Sequence, residues 1–164
     1  MRPLRMNAGG AGLSQKRLAT ARAMVLLLLA RLVVRFVPLK LFRASLGEMR
    51  DGSQMGADLG PSCKLELAQA MASRIERATL RLPGESKCLP RAIALQWSLR
   101  LTGIESQLVL AIHRSERSSR HAYHAWVEND GGMLIGHCER SEYRPVMIFA
   151  QNGRERADRA ASAW

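Results

Sequence analysis

Hydrophobic and polar positions divide the chain into an apolar N-terminal stretch, two periodic helical segments and a run of short alternating strands. Residues 15–42 form one helical segment studded with arginines, which is mostly apolar over residues 23–42, AMVLLLLARLVVRFVPLKLF. This predicts a helix that docks on the core or lies on a surface, kinked or ended at Pro38. Residues 47–62 (GEMRDGSQMGADLGPS) are rich in Gly, Ser and Asp and read as a linker. From residue 63 to 80, Leu67, Ala70, Met71, Ile75 and Ala78 recur at helical spacing. RLPGES then breaks the pattern. A second helix is expected to start at Cys88, with Pro90 tolerated in its first turn and Gly103 as its stop. Its apolar positions are Leu89, Ala92, Ile93, Trp97 and Leu99.

Beyond Gly103 the period changes from helix to strand. SQLVLAIHR, HAYHAWVE and MLIGHCE read as three strands. The polar loop SERSSR separates the first two, and NDGG between the others is a hairpin signal. YRPVMIFA adds a short strand. The expected architecture is an α+β domain, with a cysteine at a helix N-terminus packed on an antiparallel meander and helices preceding it. The division expected along the chain is a disordered 1–14, an apolar helix and linker at 15–62, a core at 63–150 and a flexible tail at 151–164.

Composition changes this picture little. The chain has 164 residues, enough for one core without disulfide staples. Hydrophobic residues make up 47% and aromatic ones 5%, so the core is mostly aliphatic. The net charge is +11, from 25 Lys and Arg against 14 Asp and Glu. The basic residues are dispersed, without the dense patch of a nucleic-acid binder, so no nucleic-acid partner is expected. Cys63, Cys88 and Cys138 are odd in number and form no CxxC pair. This argues against a disulfide framework and a structural zinc, and for a reducing cytoplasm. The uninterrupted apolar stretch, AMVLLLLA at residues 23–30, is far shorter than the ~20 residues that cross a bilayer, and Arg31, Arg35 and Lys40 follow it closely. It leaves membrane-surface contact as one reading of the long helix.

Two residues carry candidate chemistry. A thiol in the first turn of a helix faces unpaired N–H groups and the positive end of the dipole, which favour a thiolate. Cys88 stands there. His124, in HAYHAWVE, shares a strand face with Trp126 and Glu128. A cysteine and a histidine held by one core form the pair that nucleophilic catalysis uses. A third group is expected to orient the imidazole. With Asp130-Gly131 as the turn, His124 faces His137; with Gly131-Gly132, it faces Glu139. Glu139 is the better candidate because a carboxylate also stabilises imidazolium. Glu128 is an edge or substrate contact. His113 and His121 flank the polar loop at spacings that match no standard metal set. No metal, and no nucleotide motif or cofactor, is expected.

KCLPRAIALQWSLRLTGIESQLVLAIHR followed by HAYHAWVENDGGMLIG resembles the lasso-peptide biosynthesis B proteins, the microcin-processing leader peptidases of the transglutaminase-like, papain-fold superfamily. The resemblance covers about residues 20–148. It implies a cysteine peptidase that removes the leader from a ribosomally made precursor. An asparagine-synthetase-like cyclase would then close the macrolactam. Cys88 matches the family nucleophile and His124 the family base. The family acid falls about a dozen residues past the histidine, where this chain has Gly136, with His137 next and Glu139 beyond. Residues 1–60 do not match the leader-binding module fused to some members, so the resemblance implies a separate recognition protein. The alternatives are a transglutaminase-like acyl transferase or amidase using the same pair, and a non-catalytic scaffold that escorts precursor to the cyclase.

Overall fold

The computed structural model describes residues 9–52, 64–84, 87–115 and 122–151. Cys63, His121 and the chain after residue 151 lie outside these. The elements in chain order are α1 (Gly9–Phe36), α2 (Leu39–Phe42), a single 3-10 turn, β1 (Glu48–Asp51), α3 (Leu65–Arg81), α4 (Cys88–Leu101), β2 (Ser106–His113), β3 (Tyr123–Asn129), β4 (Gly132–Ile135), a second 3-10 turn and β5 (Tyr143–Gln151). This is a mixed α+β fold, with helices packed on one five-stranded antiparallel sheet.

α4 lies at the centre. Ala92, Ile93, Ala94, Leu95 and Leu99 are buried, and the helix touches α1, α3, β2 and β3. Pro90 sits in the first turn, where its missing N–H costs no helical bond. Gln96 is fully buried. Its Nε2 donates to the carbonyls of Leu46 (2.9 Å) and Phe149 (3.1 Å), and its Oε1 accepts from Ser106 Oγ (3.0 Å). One side chain thus ties α4 to the 3-10 turn, to β5 and to the start of β2. Trp97 Nε1 adds a bond to Ser45 Oγ (3.0 Å).

α1 ends at Phe36, and Pro38 precedes α2, as the pattern predicts. The helix begins at Gly9, within the segment expected to be disordered. Ala23, Leu27 and Ala30 enter the same apolar cluster as α3, α4 and the sheet, so packing continues without a break across the expected boundary at residue 63. α3 buries Ala68, Ala72, Ile75 and Ala78, whereas Leu67 is exposed. The inward stripe is rotated from the one its larger residues mark, because alanines let the helix approach its neighbours closely.

The strand order is β1-β5-β2-β3-β4: β2, β3 and β4 form the expected meander, and β5 departs from it. β5 returns between β1 and β2, pairing Phe149 with both Met49 and Leu108. It is a nine-residue interior strand, longer than the short one expected. β1 falls within the expected linker: EMRD has no apolar alternation, and its place is fixed by pairing with β5. The β3–β4 turn is Asp130-Gly131, with φ of 50° and 73°, so Asn129 pairs with Gly132. Two consecutive positive φ values match the twist of a two-residue hairpin. A bulge then shifts the register, so that Val127 pairs with Ile135. β4 ends there, and residues 136–139 leave the sheet.

Candidate active site

Cys88 is the first residue of α4, and the N-terminus of that helix meets β3 where β3 outruns β4. The β3–β4 pairing covers Val127–Asn129 only. Upstream of it the Ala125 N–H, with the N–H of Leu89 in the first turn, favours the Cys88 thiolate. The Cys88 thiol and the His124 ring are also hydrogen-bonded to each other. Thirty-six residues of sequence therefore separate two groups that meet at one point.

The electrostatics follow from these contacts. Burial pushes the Cys88 thiol up, but the His124 hydrogen bond and charge, with the two N–H donors, more than reverse it. Its pKa lies below the ordinary 9.0. For His124, the Cys88 hydrogen bond raises the pKa most, burial opposes it, and the Gly136 carbonyl adds a further rise. The net value lies above 6.5 despite the nearby Arg91 charge. Cys138 behaves in the opposite way. Burial raises its thiol, neighbouring glutamates push the same way, and Arg140 only partly opposes them. Only Cys88 of these two thiols is activated.

The group behind the imidazole is a backbone carbonyl. His124 Nε2 lies 2.9 Å from the Gly136 oxygen. A carbonyl only accepts, so Nε2 carries the proton and Nδ1 is left for the thiol. Glu139 is not at the ring. It is exposed and accepts from the Ser141 hydroxyl (3.0 Å) and N–H, capping the second 3-10 turn. His137 is exposed as well. The bulge explains why neither expected register brings them in: β4 pairing stops at Ile135, and Gly136, with φ of 75°, turns the chain so that its own carbonyl meets the ring.

Two further groups escape a reading by residue type. Tyr143, the first residue of β5, lies 5.2 Å from the His124 ring centroid, inclined by 36°, and meets His113 edge-on at 5.0 Å. Glu128 is not an edge contact. It is 3% exposed, accepts from Trp126 Nε1 (2.6 Å) and pairs with Arg140 (3.0 Å). Arg140 also donates to the Gly131 carbonyl (2.7 Å). Glu128 thereby fastens the segment after Gly136 to β3. Beside the Cys–His pair runs an apolar cleft of 280 Å³, walled by Leu89, Leu110, Ile112, Tyr123, Val146 and Met147. Among the described residues no cluster of His, Cys, Asp or Glu could hold a metal.

A helix-borne thiol on a strand-borne imidazole, beside an antiparallel sheet, is the arrangement of papain-like and transglutaminase-like enzymes. The family model described as Transglutaminase-like superfamily matches residues 33–148. The chain belongs to this superfamily. Its match opens inside α1 and closes inside β5, so it contains the whole candidate site. The superfamily's fold is of the cysteine-peptidase and acyl-transferase type, and its catalysis is generally of the cysteine-protease kind. No curated protein and no solved structure matches the chain.

Proposed function

We propose that this protein is a cysteine peptidase that removes the leader from a ribosomally made lasso-peptide precursor. The observation that carries the peptidase reading is the Cys88–His124 pair, with Nε2 held by the Gly136 carbonyl. The substrate class rests on the resemblance of residues 87–100 and 122–136 to the B proteins.

In this mechanism the Cys88 thiolate attacks the carbonyl carbon of the leader–core peptide bond. The N–H of Cys88, in the first turn and without an intrahelical acceptor, donates to the developing oxyanion. The C–N bond breaks, and imidazolium Nδ1 gives its proton to the leaving amine. The leader is then held as a thioester. His124 takes a proton from water, the hydroxide adds to the thioester carbonyl, and the leader leaves as a carboxylic acid while the thiol regains its proton. The cleft beside Cys88 receives apolar side chains flanking the scissile bond. A separate leader-recognition protein presents the precursor, and an asparagine-synthetase-like cyclase takes the freed core.

The test is a mass measurement on precursor peptide incubated with the full chain and its recognition protein. Two fragments whose masses sum to precursor plus one water are expected, and Cys88→Ala should not produce them. An acylated adduct would mark a transferase. Cleavage undiminished in Cys88→Ala would leave the chain as a scaffold.

A further inference from the structure

We propose that α1 is an in-plane membrane-surface helix, which holds the protein against an anionic bilayer. α1 has two apolar faces. Ala23, Leu27 and Ala30 face the core. On the opposite side Leu18, Val25, Leu28, Leu29, Leu32 and Phe36 are exposed. These six are almost half of the thirteen large hydrophobics exposed among the described residues, so the exposure is concentrated rather than scattered. They lie within an arc of roughly 100° and run roughly 27 Å along the helix. Leu18 is 68% and Phe36 75% exposed, so neither end of the stripe is covered.

Charge decides what this stripe fits. Arg17 and Arg35 border it on one side and Arg22 on the other, and all three are exposed. Residues 1–47 contain nine Lys or Arg and no Asp or Glu. A protein interface of this length usually carries both signs around its rim. An apolar stripe edged by one sign, in a segment without acids, fits a uniformly negative lipid surface, with arginine heads reaching phosphates while the leucines enter the acyl boundary. No helix among the described residues is long and apolar enough to cross a membrane. The helix therefore lies along the surface, with its other face still packed on α3 and α4.

The experiment is co-sedimentation of the full chain with vesicles of phosphatidylcholine alone and of equimolar phosphatidylcholine and phosphatidylglycerol. The chain should pellet with the anionic vesicles and remain in solution with the neutral ones. Leu29→Ser/Leu32→Ser/Phe36→Ser and Arg17→Glu/Arg22→Glu/Arg35→Glu should each weaken binding at least about tenfold. Unchanged circular dichroism in each variant would show that the fold survives. Should the serine variant misfold, Leu32→Trp gives a second reading, its emission shifting to the blue only when anionic vesicles are added. Three results would overturn the proposal. One is no pelleting with anionic vesicles. Another is equal pelleting of the serine variant, which would mean attraction by charge alone. The third is a dimer in sedimentation velocity that the serine substitutions abolish, which would make a second copy the occupant of the stripe.

Discussion

Cys88 gains its reactivity from three neighbours that outweigh its burial: His124, by hydrogen bond and charge, and the N–H groups of Ala125 and Leu89. Cys88→Ala should lower precursor cleavage by at least ~10³-fold, and Glu139→Gln or His137→Ala by no more than about twofold, in a timed mass assay. The pH behaviour has a definite sign. A thiol held below 9.0 becomes thiolate earlier as pH rises, and an imidazole held above 6.5 keeps its proton longer. The reactive ion pair therefore gains on the acid side by losing the Cys88 proton and is lost on the alkaline side when His124 deprotonates. With Cys63→Ser and Cys138→Ser removing other thiols, the rate of Cys88 alkylation by iodoacetamide should rise through a midpoint below 9.0. His124→Ala should move that midpoint upward, because burial would then act against the two N–H donors alone.

At the scale of elements, the β3–β4 hairpin and the segment after it aim the Gly136 carbonyl. Gly136 has a φ of 75°, and an added Cβ would meet the Ala125 oxygen at 2.5 Å and the Trp126 Cα at 3.1 Å. Gly136→Ala must therefore move this backbone. It should cost about 1–3 kcal/mol in a urea melt and lower kcat more than it raises KM. Glu128→Ala would leave the Trp126 N–H and the Arg140 guanidinium without their carboxylate. A cost of about 2–4 kcal/mol is expected, measured the same way. These elements also mark the limit of what a sequence discloses. The helix start at Cys88, a hairpin turn within NDGG and the strand around His124 are legible, because each rests on a local residue preference; which two residues make the turn is not. The bulge at Val127/Glu128 has no such signature. A carbonyl that orients a histidine has none either, since every residue carries one. Glu139 seemed the better partner by charge, yet its short side chain is already committed to Ser141.

For the whole molecule, the decisive fact is that α4 is fixed to elements far apart in sequence. Gln96→Leu keeps the volume but loses bonds to Leu46, Phe149 and Ser106. It should destabilise the fold by about 2–3 kcal/mol in urea. The places of β1 and β5 in the sheet were not legible for a related reason: they pair across about a hundred residues, a distance over which no local pattern reaches. The placement of β5 has a consequence for synthesis. Cys88 and His124 leave the ribosome well before Val146, Met147 and Phe149, yet those residues wall the cleft and receive the Gln96 bond. A nascent chain carrying both reactive groups still has an open edge along β2 and a cleft with one side missing. The Cys–His site is thus finished by β5, the last of the described strands to emerge, and an unfinished chain holds a reactive thiol in an incomplete cleft.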